Sequence, residues 1–85
     1  MNEFQKLMRV KNILDDPFAG LGLSNDQRIA ANMAARGKTL KEIAAITGTS
    51  LDTAGGRIKA VSAKLKIKKS EFPAAVMAMI EAALE

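Results

Sequence analysis

Residues 39–69 have the sequence TLKEIAAITGTSLDTAGGRIKAVSAKLKIKK and contain two amphipathic patterns joined by a glycine. The first pattern begins with Thr39 and Glu42, whose spacing is typical of a capping box, in which each side chain accepts a hydrogen bond from the other residue's backbone N–H. Apolar residues then recur at helical spacing, at Leu40, Ile43, Ala44 and Ile46. Gly48 follows, and a glycine can take the left-handed conformation that ends a helix. We predict a short helix ended by Gly48 and followed by a three- to four-residue turn.

The second pattern predicts a longer helix from Ser50 to Leu65, with Ser50 as its N-cap and Asp52 in its first turn. The apolar side is a narrow stripe formed by Ala54, Ile58, Val61 and Leu65. At 100° per residue, the opposite side carries Asp52, Gly56, Lys59 and Ala63, with Gly55 and Arg57 on the flanks. The exposed face of this helix is therefore predicted to be small and basic, and the two patterns together predict a helix-turn-helix.

The charge of the chain is unevenly distributed. The 85 residues carry a formal charge of +4, but residues 53–70 contain six Lys or Arg and no acid. Such a field attracts a polyanion, and nucleic acid is the usual one. The alternative is an ordinary solvated lysine-rich face.

Several classes of function are disfavoured by composition. The chain has no Cys, His, Trp or Tyr, which excludes disulfides, Cys or His catalysis and the usual zinc sites, and we predict neither a metal nor a cofactor. Enzymatic function is poorly supported, because the nine carboxylates are scattered apart from Asp15 and Asp16, which precede a proline. Residues 20–22, Gly-Leu-Gly, lack the third glycine of a nucleotide-binding fingerprint. No apolar run approaches the ~20 residues that span a bilayer, so we expect no membrane association and a cytoplasmic protein.

The remaining segments also predict helices. Residues 1–14 form an amphipathic pattern with its apolar side at Phe4, Leu7, Met8, Ile13 and Leu14, and the Asp-Asp-Pro of residues 15–17 ends it. Residues 18–23 are predicted to be a connector. Ser24 and Gln27 form a second capping box, which begins a helix that runs to about Arg36 with a buried side made of Ala30, Ala31, Met33 and Ala34.

The C-terminal segment predicts a last helix. Ser70 is its predicted N-cap, Pro73 is tolerated in the first turn, and Ile67 is expected to be buried beneath the preceding loop. Its apolar side is formed by Val76, Met77, Ile80, Ala83 and Leu84, with Met79 adding further apolar area. This side predicts either an association surface or the completion of the core of the monomer.

The fold predicted from these patterns is all-α: a small helical bundle with a helix-turn-helix. It divides into an N-terminal amphipathic helix with a connector (residues 1–22) and a four-helix unit (residues 23–85).

Residues 23–76 resemble the LuxR/GerE-type helix-turn-helix family of bacterial transcription factors. The residues that carry the resemblance are Leu23, Ser24, Gly37, Thr39, Glu42, Ile43, Ala44, Gly48, Ser50, Thr53, Val61, Lys64, Leu65 and Ile67. The resemblance implies four helices, of which the third enters the DNA major groove and the fourth pairs two subunits around a two-fold axis. A sigma-factor-like region is a further alternative, which the fit at residues 42–44 and 64–65 disfavours.

The implied function is that of a DNA-binding transcriptional regulator that acts as a homodimer on double-stranded DNA. Arg57 and Lys59 are the candidate base readers, and Thr53 and Lys64 match positions that contact phosphate in the family. The full set of candidate DNA-binding residues is Thr39, Ser50, Thr53, Gly55, Gly56, Arg57, Lys59, Lys64, Lys66, Lys68 and Lys69. The candidate dimerisation residues are Val76, Met77, Met79, Ile80, Ala83 and Leu84.

The predicted reader departs from the family at residues 54–57, Ala-Gly-Gly-Arg, where an aliphatic residue and then a polar or basic one are usual. Two glycines inside a helix cost roughly 1 kcal/mol each relative to alanine. They either allow the helix backbone to approach DNA closely or mark a reader with relaxed specificity. The alternative function is a protein-interaction module, an antagonist that pairs with a related regulator and binds DNA weakly.

Overall fold

The computed structural model describes residues 2–85, which form five α-helices and no strand. Helix α1 spans Glu3–Asp15, α2 spans Asn25–Ala35, α3 spans Leu40–Thr47, α4 spans Leu51–Leu65 and α5 spans Phe72–Leu84. A short 3-10 turn, Lys69–Glu71, precedes α5. The prediction of an all-α bundle is confirmed over this range. The predicted first helix, residues 1–14, corresponds to α1, which starts after its N-cap Asn2 and ends one residue later than predicted; Met1 lies outside the described residues.

The helix starts are determined by local side-chain hydrogen bonds. Both predicted capping boxes are confirmed: Thr39 Oγ1 accepts from the N–H of Glu42 at 3.2 Å, and Ser24 Oγ accepts from that of Gln27 at 3.2 Å. Ser50 caps α4 as predicted, accepting from the Thr53 N–H at 3.1 Å. A third capping box, at the start of α1, was not predicted. Gly48 ends α3 in the left-handed conformation, with φ 67°.

The predicted N-cap of the last helix was wrong. Ser70 lies inside the 3-10 turn, and α5 begins two residues later with Pro73 in its first turn. The Glu71 side chain instead accepts from the backbone N–H of Lys68 at 2.7 Å, while the Glu71 N–H donates to the Lys68 carbonyl at 2.9 Å. These two bonds close the chain around residues 68–71 and leave Ser70 without a capping role.

The core lies between α2, α3, α4 and α5. Its buried members include most of the predicted residues of α2, α3 and α4, namely Ala30, Ala31, Ala34, Ile43, Ala44, Ala54, Ile58 and Val61. Of the other predicted apolar residues, Met33, Leu40 and Leu65 are half-buried and Ile46 is 58 % exposed. Small side chains on α2 let its neighbours approach closely. Two phenylalanines that were not predicted as core, Phe18 and Phe72, are both 0 % exposed, and their ring centroids are 5.5 Å apart. The core therefore includes a residue from the predicted connector.

Helix α1 packs along α5, but not through its predicted apolar side. The side chains that are half-buried along α1 are Lys6, Val10 and Ile13. Of the predicted apolar side only Ile13 is among them, and Phe4, Leu7, Met8 and Leu14 are exposed. The contacting face is centred roughly a third of a turn from the predicted one.

The C-terminal end of α1 is held by polar contacts to α2. The Arg36 guanidinium donates to the carbonyls of Leu14 and Asp15, at 3.2 and 3.4 Å. The Asp16 carboxylate accepts from Asn32 Nδ2 at 2.7 Å and pairs with Arg28 at 3.4 Å. These bonds place α1 beside α5.

Candidate nucleic-acid interface

The predicted outer face of α4 is exposed in the structure. Asp52, Gly56, Lys59 and Ala63 are all solvent-exposed, opposite the buried stripe that begins at Ala54. Among these four residues Lys59 is the one basic side chain. The face is therefore small, as predicted, and carries one cation, Lys59, and one acid, Asp52.

The two glycines of α4 have no packing role within the chain. Both lie in right-handed helical backbone, since neither has a positive φ. A Cβ on Gly56 would meet nothing within 4 Å, and one on Gly55 would make an ordinary contact of 3.9 Å with Leu40. Neither the backbone nor a neighbour within the chain requires glycine at these two positions.

The start of α3 lies beside the middle of α4, since Leu40 is the residue nearest to Gly55. This brings Thr39 towards the side of α4 that carries Gly55. Thr39 also lines an open pocket with Lys38, Lys69 and Ser70. Because the Thr39 hydroxyl accepts from Glu42, its own proton remains available to donate.

Glu42 introduces a negative charge into this region. Its pKa is lowered, first by the hydrogen bond from the Thr39 backbone N–H, then by the Thr39 side chain, and further by the nearby charges of Lys38 and Lys69. Lys38 lies 4.0 Å from the Glu42 carboxylate. The sequence analysis did not select Lys38 as a candidate residue. The position of this lysine, directly before the N-cap residue Thr39, was the feature that could have identified it.

The hydroxyls at the start of α4 form a pair. Ser50 Oγ donates to Thr53 Oγ1 at 2.9 Å and accepts from the Thr53 backbone N–H. Because Thr53 Oγ1 accepts this bond, its own proton remains available to an outside acceptor such as a phosphate oxygen. Both side chains belong to exposed residues.

Arg57 does not lie with Gly56 and Lys59 on the exposed face. Its guanidinium is 3.4 Å from the Asp26 carboxylate of α2, and its side chain is 23 % exposed. Arg57 is three residues after the buried Ala54, which places it on the flank of the core stripe that faces α2. Arg57 thus lies on the flank of the outer face, as predicted, and is paired with Asp26 in this structure; its role as a base reader stays a prediction.

Lys64 is also occupied within the chain. Its ammonium donates to the backbone carbonyl of Gly22, in the connector between α1 and α2. A Cβ on Gly22 would lie 3.3 Å from the Lys64 Nζ, so the small residue makes room for this contact. Lys64 therefore ties the connector to α4.

The lysines that follow α4 differ from Lys64. Lys66 ends the helix in the left-handed conformation, with φ 58°, and the next N–H, that of Ile67, donates back to the Ser62 carbonyl at 3.2 Å. This reversal buries Ile67 in part, as predicted, and leaves Lys66 exposed. Within residues 2–85 no ion pair involves four of the candidate lysines, which are Lys59, Lys66, Lys68 and Lys69.

The candidate dimerisation residues are only partly accessible. Ala83 is 4 % exposed and Val76, Met79 and Ile80 are half-buried, because α1 and α2 pack against this side of α5. Met77 and Leu84 remain exposed, at 54 % and 53 %. The accessible part of the predicted surface is thus one edge of α5.

Comparison with protein-family models, curated proteins and solved structures finds no significant match to this chain. None of the helices in residues 2–85 is long and apolar enough to cross a bilayer. Over the same residues there is no cluster of three or more acidic side chains suited to a metal ion.

Proposed function

We propose that this protein is a DNA-binding regulator that places α4 in the major groove of double-stranded DNA. The observation that carries the proposal is the group of four lysines without an ion pair, Lys59, Lys66, Lys68 and Lys69, in a stretch of sequence, residues 53–70, that contains no acid. Cations that are not neutralised within the protein release counterions when they meet phosphates, which is the main source of affinity for DNA.

The shape of α4 supports this assignment. A major groove about 12 Å wide admits an α-helix, and an outer face built from Gly56, Lys59 and Ala63 brings the helix backbone close to the bases. Lys59 is the proposed base reader. Thr39 and Thr53 each retain a hydroxyl proton to donate to a phosphate oxygen. The order of α3, turn and α4 also agrees with the resemblance to the LuxR/GerE-type family.

We expect modest sequence preference. Asp26 holds Arg57, which leaves Lys59 as the long side chain that faces outward from the centre of α4. A good base contact from lysine or arginine is worth about 1–3 kcal/mol of discrimination, whereas phosphate contacts give affinity without sequence information.

The test is an NMR titration of the labelled protein with a duplex of arbitrary sequence at low and moderate salt. We expect shifts in residues 50–69 that weaken as salt rises. Lys68→Ala should lower affinity for every duplex alike and reduce the salt slope by about 1, whereas Lys59→Ala should also reduce discrimination between sequences. Lys6→Ala in α1 is the matched control, because it removes a charge of the same type away from α4.

Absence of shifts in α4 at low salt would overturn the proposal. The exposed apolar side chains of α1 and α5 would then favour the second candidate, a module that pairs with a related regulator. Capture of such a regulator by a protein that does not bind DNA would establish it.

A further inference from the structure

Helix α1 presents an apolar row to solvent. Phe4, Leu7 and Leu14 are 70 %, 62 % and 55 % exposed. Phe4 and Leu7 are three residues apart and Leu7 and Leu14 are seven apart, which matches the a and d positions of a heptad repeat. Lys11 occupies the a position between Leu7 and Leu14. A single lysine at such a position is a known means of specifying register between paired helices.

Helix α5 carries a similar row on its accessible edge. Met77 and Leu84 are seven residues apart and about half exposed, with the half-buried Ile80 between them. This spacing of three and four residues again places the three side chains along one line of the helix.

The two rows face the same side of the molecule. Leu14 of α1 and Met77 and Ile80 of α5 line a common groove with a volume of about 260 Å³. The end of α1 lies beside the start of α5 and the helices pack along their lengths, so they run antiparallel. Leu7 and Leu84, each two turns further along, therefore lie at the same level.

We propose that this two-helix surface, defined by Phe4, Leu7, Leu14, Met77, Ile80 and Leu84, binds a second copy of the chain, with α1 of one protomer against α5 of its partner. Charge complementarity selects this arrangement. Helix α1 carries three cations and two acids, Glu3 and Asp15, for a net charge of +1, and its Lys11 is paired with Asp15 at 2.6 Å. Helix α5 and the residue after it carry only the acids Glu81 and Glu85. Pairing α5 with α5 would place like charges together, and pairing it with α1 places acids beside cations.

The area of the surface also requires both helices. Its five exposed apolar side chains present on the order of 400 Å² per protomer. A standard interface buries about 800 Å² per partner, of which about two thirds is apolar in homodimers. Met77 and Leu84 alone fall far below that figure, whereas the two rows with their polar rim approach it. In the resulting dimer, two helices from each protomer form a four-helix bundle around a two-fold axis parallel to the helices.

Only one consequence of this inference rests on the proposed function: in a dimer, two α4 helices would read paired half-sites. Self-association itself is measured without DNA. A protein that forms the dimer and ignores DNA would remove the proposed function alone, and a monomer that binds DNA would remove this inference alone.

The test is sedimentation equilibrium of the full chain over a range of micromolar concentrations. We expect the unmodified protein to dimerise and Leu7→Glu and Leu84→Glu each to weaken the dimer at least tenfold. Ile46→Glu is the matched control, because Ile46 is 58 % exposed on α3, away from the surface. A monomer at every concentration, or equal weakening by the control, would overturn the inference. Circular dichroism establishes that each variant remains helical.

Disulfide trapping tests the arrangement, since the chain contains no cysteine of its own. Leu7→Cys and Leu84→Cys proteins, mixed under oxidising conditions, should form a cross-linked heterodimer more readily than either alone. Equal cross-linking by the single variants would indicate that like helices pair, and no cross-linking would indicate that these positions do not meet. Either result would contradict the proposed arrangement.

Discussion

At the scale of single residues, α4 contains two adjacent glycines, which are unfavourable in a helix, next to its exposed outer face. Gly55 and Gly56 lower the helix propensity of its first half, and no atom of residues 2–85 requires their lack of a side chain. A use for these glycines must therefore be sought in a contact with another molecule. Close approach of the α4 backbone to DNA would be such a use.

We therefore expect Gly56→Ala to stabilise the fold and weaken DNA binding at the same time. The gain in free energy of unfolding should be about 1 kcal/mol, which corresponds to a rise of roughly 4–8 °C in Tm for a domain of this size. Thermal unfolding and a duplex titration of the same variant measure the two effects. If stability rises and DNA affinity does not fall, the glycine does not serve close approach.

Gly48→Ala is the contrasting variant. Gly48 ends α3 at φ 67°, where a side chain is strained, so this substitution should lower Tm.

At the scale of single elements, the helix starts depend on reciprocal hydrogen bonds between residues three apart. In α3 one of the acceptors is a carboxylate, since the Thr39 N–H donates to Glu42 Oε1 at 3.0 Å. In α2 the corresponding acceptor is Gln27, a neutral amide. The two helices thus begin in the same way, but only the capping box of α3 has a titratable acceptor.

We expect the start of α3 to lose stability in acid. Because the pKa of Glu42 is lowered in the folded state, its contribution is fully present above the unfolded value of 4.5 and is lost as pH falls through the folded value. Glu42→Gln keeps an acceptor without a titratable group, so its stability should change less with pH in this window. Urea unfolding between pH 6 and 3, at roughly one-unit steps, measures the difference.

Glu3→Gln is the control for this measurement, since Glu3 also lies in the first turn of a helix but its side chain makes no hydrogen bond within residues 2–85. A loss of pH dependence in Glu3→Gln as large as in Glu42→Gln would show that the capping box is not its source.

At the scale of the whole molecule, one aromatic contact joins the two ends of the chain to the core. Phe18 follows α1 and Phe72 begins α5, and both rings are fully buried. The Asp16 and Arg36 hydrogen bonds hold the adjoining backbone in place. Residues 2–22 are thus connected to the core through Phe18, although α1 itself buries no residue.

We expect Phe18→Ala to be among the most destabilising single substitutions in the chain. A buried phenylalanine replaced by alanine costs about 3–5 kcal/mol, against a typical total stability of 5–15 kcal/mol. Met77→Ala is the control, because a half-exposed methionine should change stability by less than about 1 kcal/mol. Equal destabilisation of the two variants in urea unfolding would contradict the assignment of Phe18 to the core.

The sequence by itself determined the helices, the caps of α2, α3 and α4 and most of the buried residues of α2 and α4, because these depend on residues three or four positions apart. It misplaced the start of α5. Only the tertiary structure decided which charged groups of the candidate site remain available. Arg57 meets Asp26 across 31 positions, and Lys64 meets the Gly22 carbonyl across 42. It also decided which side of α1 faces α5. Partners so distant in sequence are brought together by the packing of whole helices, and no local spacing encodes which side chains then meet.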